Sequence, residues 1–386
     1  MQMDEASAQL QLDLRHAVQQ ALATRRPLLH RLNSGSSWFL QIPRPHTATR
    51  RGARFYYNVL IDPDFPVAAS PRRKRDLVAI TCVAKLEELA RELEILASGL
   101  RLGYGRQSNV AAEKDVGKLE TFLDAIVISK GHVDAQNLLS LHPDAPVLIP
   151  GELYHQVTNL EHFRTVTAIP NFGLQGDRDW RSTSVPPLPD WVGVGVLPHA
   201  KDNAYQDSTL VITFNNRHQG HNFKLSGTST RLNLKTKHLA IEPDEAEEHC
   251  EAIILSSSVL EASSIRSIVF ADPALQCLAY IHSIHPEHVE TSSCSDRALK
   301  PDTVRSLQAK YWIRAAERLN LATYEGNGGF WAWLLQLKKS MLRGPKDEHR
   351  ANKRRRLSDC HDDERSIESS EMDFVELRAG ESRVLH

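Results

Sequence analysis

The chain has 386 residues, 41% of them hydrophobic and 25% charged, and 47 Lys and Arg against 48 Asp and Glu leave a formal net charge of -1 at pH 7. Such a length can bury a sizeable core, in one large domain with appendages or in two domains. The charge balance predicts no global attraction to nucleic acid or to an anionic membrane, so a charged partner must be met locally.

Residues 4–24 place Leu10, Leu14, Val18 and Leu22 at helical spacing after an acidic start, which predicts an amphipathic helix. No uninterrupted apolar segment of a secretion signal precedes it. "SSWFLQIP" (36–43) and "RFYYNVLIDPDF" (54–65) are aromatic and β-branched runs bounded by Gly and Pro, the signature of two strands in a hairpin. After the basic loop "SPRRKRD", Leu77, Ile80, Val83, Leu86, Leu89, Leu93, Leu96 and Leu100 draw one apolar stripe along a long helix. The strand "DAIVIS", a helix over 135–141, the strand "PVLIP" and a helix over 151–159 then set an α/β rhythm.

The middle of the chain is β-rich. "STSVPPLPDWVGVGVLP", "STLVITFN", "TSTRLNLKTKHLAIEP" and "EAIILSSS" read as strands and their turns, "SIRSIVFADP" as one more, and "KPDTVRSLQAKYWIRAAERL" as a return to helix. Two β-layers with helices outside account for this order. From Met341 onward charge is dense, basic over 343–356 and acidic over 359–376, and such a segment is expected to stay disordered. The expected organisation is a helical extension over 1–29, one domain over 30–340 and a charged tail over 341–386.

The five cysteines, Cys82, Cys250, Cys277, Cys294 and Cys360, are scattered and form no CxxC pair. That fits a reducing compartment. No sequon for N-glycosylation occurs, and no span approaches the roughly 18 apolar residues of a membrane helix, so an intracellular chain, cytoplasmic or nuclear, is expected. There is no Walker A sequence, no GxGxxG and no GxSxG elbow.

One stretch carries chemistry: "AIVISKGHVDAQ", a buried strand running into a turn that presents His132 and Asp134 two residues apart. With "SSWFLQI", "NVLIDPDF", "HFRTVTAIP", "DWRSTSVPPLPDW", "EAIILSSS" and "AKYWIR" in that order, it resembles the fungal branch of the metallo-β-lactamase superfamily over about residues 30–340. The resemblance implies an αββα fold, a four-layer sandwich of two central mixed sheets flanked by helices. It also implies metal ions at the strand ends, held by a motif of the form H-x-H-x-D-H with further His and Asp from later loops. Neutral imidazoles and a carboxylate suit zinc, and an open coordination position lowers the pKa of bound water to about 7.

Laid on this chain, that motif falls on Lys130, His132, Asp134 and Ala135. His132 and Asp134 match it. A protonated Lys repels a cation and Ala offers no donor. Later landmarks are altered too: "LSSSV" stands where relatives resemble "YTPHG", and "AAER" where they resemble "THDE". The resemblance therefore implies at most one zinc, on His132 and Asp134 as the metal residues, with no catalytic residue assigned. Replacement ligands would come from His155, His218 or His221, each of which reads more readily as a surface-loop histidine. Asp62, at the strand end of "NVLIDP", belongs either near the site or to loop capping.

"HSIHPEH" (282–288) is interrupted by Pro286 and does not converge as a metal cluster. Trp331 and Trp333 read as packing residues of a terminal helix. Lys353, Arg354, Arg355 and Arg356, with Arg343 and Lys346 upstream, resemble a bipartite nuclear import signal, which an acidic receptor groove could read. Phosphorylation at Ser358 would weaken that reading, and the alternative is a solvated charge run. Three functions are thus expected in competition: a metallohydrolase-derived protein with an incomplete site, an active mononuclear hydrolase of an ester, lactone or phosphate, and a nuclear interaction scaffold. The expected partners are an unidentified small-molecule ligand or substrate and an import receptor, with no membrane and no nucleic acid.

Overall fold

The computed structural model describes residues 16, 18–19, 22–33, 37–45, 48, 54–65, 82–99, 121–129, 134–172, 179–197, 209–215, 250–256, 269, 275–282, 307–315, 372–377 and 382–385. The aromatic and β-branched runs form strands β1 (Leu28–Arg31), β2 (Trp38–Pro43), β3 (Tyr56–Ile61), β4 (Ala125–Val127), β5 (Val147–Ile149) and β6 (Val166–Ala168). The β-rich middle supplies β7 (Val192–Leu197), β8 (Thr209–Asn215), β9 (Cys250–Ser256), β10 (Leu275–His282) and β11 (Tyr311–Ala315). The C-terminal segment adds β12 (Asp373–Leu377) and β13 (Ser382–Val384).

These strands make two mixed sheets, one in the order β13-β1-β2-β3-β4-β5-β6 and the other β12-β11-β10-β9-β8-β7. In each, antiparallel pairing passes into a parallel run, β3 to β6 in the first and β9 to β12 in the second. Parallel strands covered on both faces read as near-continuous apolar runs, and β4, β5 and "AIIL" within β9 do so. Between the sheets lies one core, in which Leu40, Val59 and Val127 of the first meet Val194, Ile212 and Ile313 of the second.

Outside the first sheet the helix Val83–Gly99 sets its apolar stripe down. Leu86 and Ala90 join Phe39 and Leu60, while Leu89, Leu93 and Leu96 join Leu28 and Tyr56. Val18 and Leu22 of the N-terminal helical residues enter the second of these clusters, so they belong to the domain. Outside the second sheet, Trp180 of the 3-10 turn Trp180–Thr183 packs with Phe172, Val211 and Ile254. The result is the expected αββα sandwich.

Three expectations on secondary structure need correction. The segment expected as helix over 300–319 contains β11, because "YWIRA" pairs in parallel with β10 and β12 and pairing outweighs its mild helical spacing. β1 and β10 were not read as strands. The tail expected to be disordered over 341–386 ends in β12 and β13, one at the edge of each sheet. Their short runs, "DFVEL" and "SRV", mix charged with apolar residues and gain their burial from strands far off in sequence. "TSTRLNLKTKHLAIEP", Trp331, Trp333 and residues 343–356 lie outside the described residues.

Two glycines let the Trp180 turn sit close on β7. A Cβ at Gly193 would lie 2.3 Å from Thr183 Oγ1 and 2.5 Å from Thr213 Oγ1, and one at Gly195 would lie 2.9 Å from the Phe172 ring. Thr183 cannot give way freely, since its hydroxyl donates to the Trp180 carbonyl at 2.6 Å and its side chain is buried. Gly193→Ala is therefore expected to destabilise by about 1–3 kcal/mol, the usual cost of overpacking. A denaturant titration checks this, with an unchanged midpoint as the contrary result.

Candidate functional site at the carboxyl ends of the parallel strands

The parallel strands of both sheets run in the same direction. Before β1, Arg26 pairs with Glu251 near the start of β9 at 3.1 Å; at the far end of β1, Arg31 donates to the Leu377 carbonyl at the end of β12 at 2.8 Å. β1 is antiparallel to β2 and β2 to β3, so β1 shares the direction of the parallel run β3 to β6. One end of the sandwich thus gathers the carboxyl ends of both parallel runs, the place where α/β sheets bind ligands.

A built platform occupies this end. Asp62 follows β3 with φ of 46°, a left-handed conformation uncommon for a residue with a side chain. Its backbone N–H donates to the Val127 carbonyl at 2.9 Å. Its carboxylate accepts from the Ser129 N–H at 2.7 Å and the Ser129 hydroxyl at 2.6 Å. Ser37 Oγ donates to the Asp62 carbonyl at 2.8 Å and accepts from the Asp64 N–H at 2.8 Å, while Asn33 Nδ2 donates to the Asp64 carbonyl at 2.6 Å. The β1–β2 turn, the end of β3 and the end of β4 are thereby tied together, and the chain leaves Ser129 directly for residues 130–134. The bonds to Ser129 give Asp62 a loop-tying duty at the end of β3. Ser129 was missed, although a serine closing the apolar run "AIVI" is a legible signal. Asp62→Ala would leave the buried Ser129 N–H without that acceptor, and a loss of about 2–3 kcal/mol is expected, read from thermal or denaturant unfolding.

Asp134 is exposed and works as a helix cap. Preceding the helix Ala135–Leu139, its side chain accepts from the Gln136 N–H at 2.9 Å through Oδ1 and from Asn137 Nδ2 at 3.2 Å through Oδ2. This is ordinary N-cap geometry. Ala135 is the first helical residue and offers no donor atom. Asn137 Oδ1 is buried without a hydrogen-bond partner, yet an amide oxygen is a poor substitute for the imidazoles that zinc prefers. Lys130 and His132 lie outside the described residues.

Of the other expected ligands only His155 lies among the described residues. His155 is exposed on the helix Tyr154–Thr158 with its ring edge-on to Tyr154 at 5.7 Å. His218, His221 and the basic run Lys353, Arg354, Arg355 and Arg356 lie outside the described residues, and His282 ends β10. Ser256, first of the serines in "LSSSV", is buried at the end of β9 with its Oγ 3.0 Å from Thr209 Oγ1. Among the described residues no group of three His, Cys, Asp or Glu is placed to hold a metal ion. The described donor set, one capping carboxylate beside an alanine, does not by itself fit a zinc centre.

Two facing mixed sheets, with helices outside the first, make a sandwich whose parallel strands end at one shared edge. No protein-family model matches the sequence, and no curated protein matches it. Among solved structures, the chain is similar to a long form RNase Z from yeast, with 11% identity and a TM-score of 0.36, over 77% of this chain and 40% of that one. It is also similar to an isothiocyanate hydrolase from Delia radicum gut bacteria, with 9% identity and a TM-score of 0.38, over 92% of this chain and 98% of that one. The chain thus spans well under half of the RNase Z. Likenesses this distant carry neither substrate nor metal across. Among the described residues no helix is long and apolar enough to cross a membrane.

Proposed function

We propose that this is a metallohydrolase-derived protein whose metal site is incomplete, holding at most one metal ion weakly and acting through its cleft or surfaces, by binding a ligand or a partner, with little or no hydrolysis. The observation that carries the reading is the use of Asp134. One of its oxygens caps the following helix, the other accepts from the Asn137 side-chain amide, and the next position of the motif is Ala135. A cation would have to compete with N–H donors for that carboxylate, and tight zinc sites in enzymes use three protein ligands.

One observation favours a second reading, a mononuclear hydrolase of an ester, lactone or phosphate on His132 and Asp134. The platform beneath the turn is built, with Asp62 holding Ser129 by two bonds. A nuclear role through an import receptor rests on the sequence of Lys353–Arg356 alone.

Metal content per chain decides between the first two. Protein purified without chelator is measured by plasma mass spectrometry, with His132→Ala in parallel. Substoichiometric metal, removed by dialysis with no change in melting temperature, is the expected result. Metal near one equivalent, lost in His132→Ala together with a chelator-sensitive turnover of ester or phosphate probes, favours the hydrolase. Two tightly held equivalents overturn both readings.

A further inference from the structure

The last two strands form one edge unit. β12 and β13 stand at the ends of their respective sheets. Their partners β11 and β1 lie on the same side of the sandwich, since Arg31 at the end of β1 donates to the Leu377 carbonyl of β12 and Arg383 of β13 lies over the Tyr311 ring of β11 at 5.9 Å. The segment therefore crosses from one sheet to the other and closes that side. Along it, Val375 and Leu377 enter the inter-sheet core, Leu385 does the same with no exposure, and Val384 joins the cluster beneath the helix Val83–Gly99.

Polar contacts fix both ends. Asp373 N–H donates to the Lys310 carbonyl at 2.9 Å, Leu385 N–H donates to the Pro27 carbonyl at 2.9 Å, and the buried Ser382 hydroxyl meets His30 Nδ1 at 2.6 Å. Ladder bonds pair Tyr311 to Ala315 with Asp373 to Leu377, and Leu28 to His30 with Val384 to Ser382. Main-chain pairing at an open edge supplies affinity and alternate side-chain pockets supply specificity, which is how an extended peptide adds to a sheet. All of these contacts are made by the segment itself, and none requires the charged connection that leads to it.

We propose that residues 372–385 are a separable strap, an edge segment whose docking on β1 and β11 is complete in itself and survives a break in the connecting chain. Cleavage within the basic stretch 343–356 then divides the chain without dividing the fold. The strap, with the acidic stretch before it, remains on the sandwich as a non-covalent subunit. The proposal is independent of whether the site binds metal.

The test uses the full chain with a specific protease sequence inserted after Gly344. After complete cleavage, size exclusion is run in about 1 M NaCl, where screening over about 3 Å removes adhesion between unlike charges. Co-elution of the C-terminal fragment with the core, and its separation only in denaturant, is the expected result. Leu385→Asp in the cut protein is expected to release the fragment. Elution of the unsubstituted fragment apart from the core overturns the proposal, whether the core then stays in solution or aggregates. Retention of the Leu385→Asp fragment equal to that of the unsubstituted one also overturns it.

Discussion

Deleting residues 372–386 is expected to abolish cooperative unfolding. The strands lost include Val375, Leu377, Val384 and Leu385, all with 5% exposure or less. At about 1.5–3 kcal/mol for each large apolar side chain moved out of water, their burial is comparable with the roughly 5–15 kcal/mol that holds a whole domain folded. The deletion also bares their partners, since Tyr311 and Ile313 lose cover in one sheet and Leu28 and Leu29 in the other. Both edges would then offer unpaired N–H and C=O groups to other chains. Aggregation on expression, or a broad non-cooperative melt, is the outcome to look for. A truncated chain that melts within a few degrees of the full one would show that the strands add little. A milder variant gives a graded reading: Leu385→Ala is expected to cost about 2–5 kcal/mol as a large-to-small core change. Removing everything after residue 342 is consequently no clean probe of the basic run, because it takes the strap as well.

How far the sequence disclosed this protein depends on where each residue finds its partner. β2, β3 and the strand of "AIVIS" were legible because their burial follows from composition within a few residues. The long helix was legible because the stripe from Val83 to Leu96 repeats at helical spacing. β12 and β13 were not, since a run as short as "SRV" among acids and arginines becomes a strand only when β1, hundreds of residues earlier, offers an edge. The same distance hid β11, whose spacing suits a helix until two parallel neighbours claim its backbone. At the candidate site the residue types were legible and their duties were not. Asp134 was readable as a ligand or as a turn former, and its hydrogen bonds to Gln136 and Asn137 show the second duty. Asp62 was readable as a strand-end residue, but its bond to Ser129 joins two strands and has no local signature.

A further buried feature has a large expected effect on stability. His30 of β1, Gln41 of β2 and Asn58 of β3 are polar side chains among apolar neighbours, and all three are buried. His30 Nε2 lies 3.0 Å from Gln41 Oε1, Gln41 Nε2 donates to Asn58 Oδ1 at 2.9 Å, and Asn58 Nδ2 donates to the Phe122 carbonyl at 2.8 Å. A carbonyl oxygen only accepts, so His30 carries its proton on Nε2 and its Nδ1 accepts from the Ser382 hydroxyl. The bonds point one way from β13 across to the approach to β4, an arrangement in which each strengthens the next.

Burial holds His30 neutral, lowering its pKa from 6.5 to about 4 against a smaller opposing effect of the Gln41 bond. Between those values the unfolded chain binds a proton that the folded chain refuses, so stability falls as the pH drops from 6.5 to about 4. The loss amounts to roughly 3 kcal/mol over the window, at about 1.4 kcal/mol for each pH unit. Above 6.5 both states are neutral and the contribution is flat. Carboxylates titrate in part of this range, so the quantity to measure is the difference from His30→Gln, a variant that can still donate to Gln41 and accept from Ser382 without titrating. Denaturant unfolding of both proteins at several pH values from 7 to 4 should show the native chain losing its advantage over the variant as acid is added. A difference that stays constant with pH would mean that His30 takes up its proton in the folded state as readily as in the unfolded one, and that the polar row across β13, β1, β2 and β3 tolerates a charge.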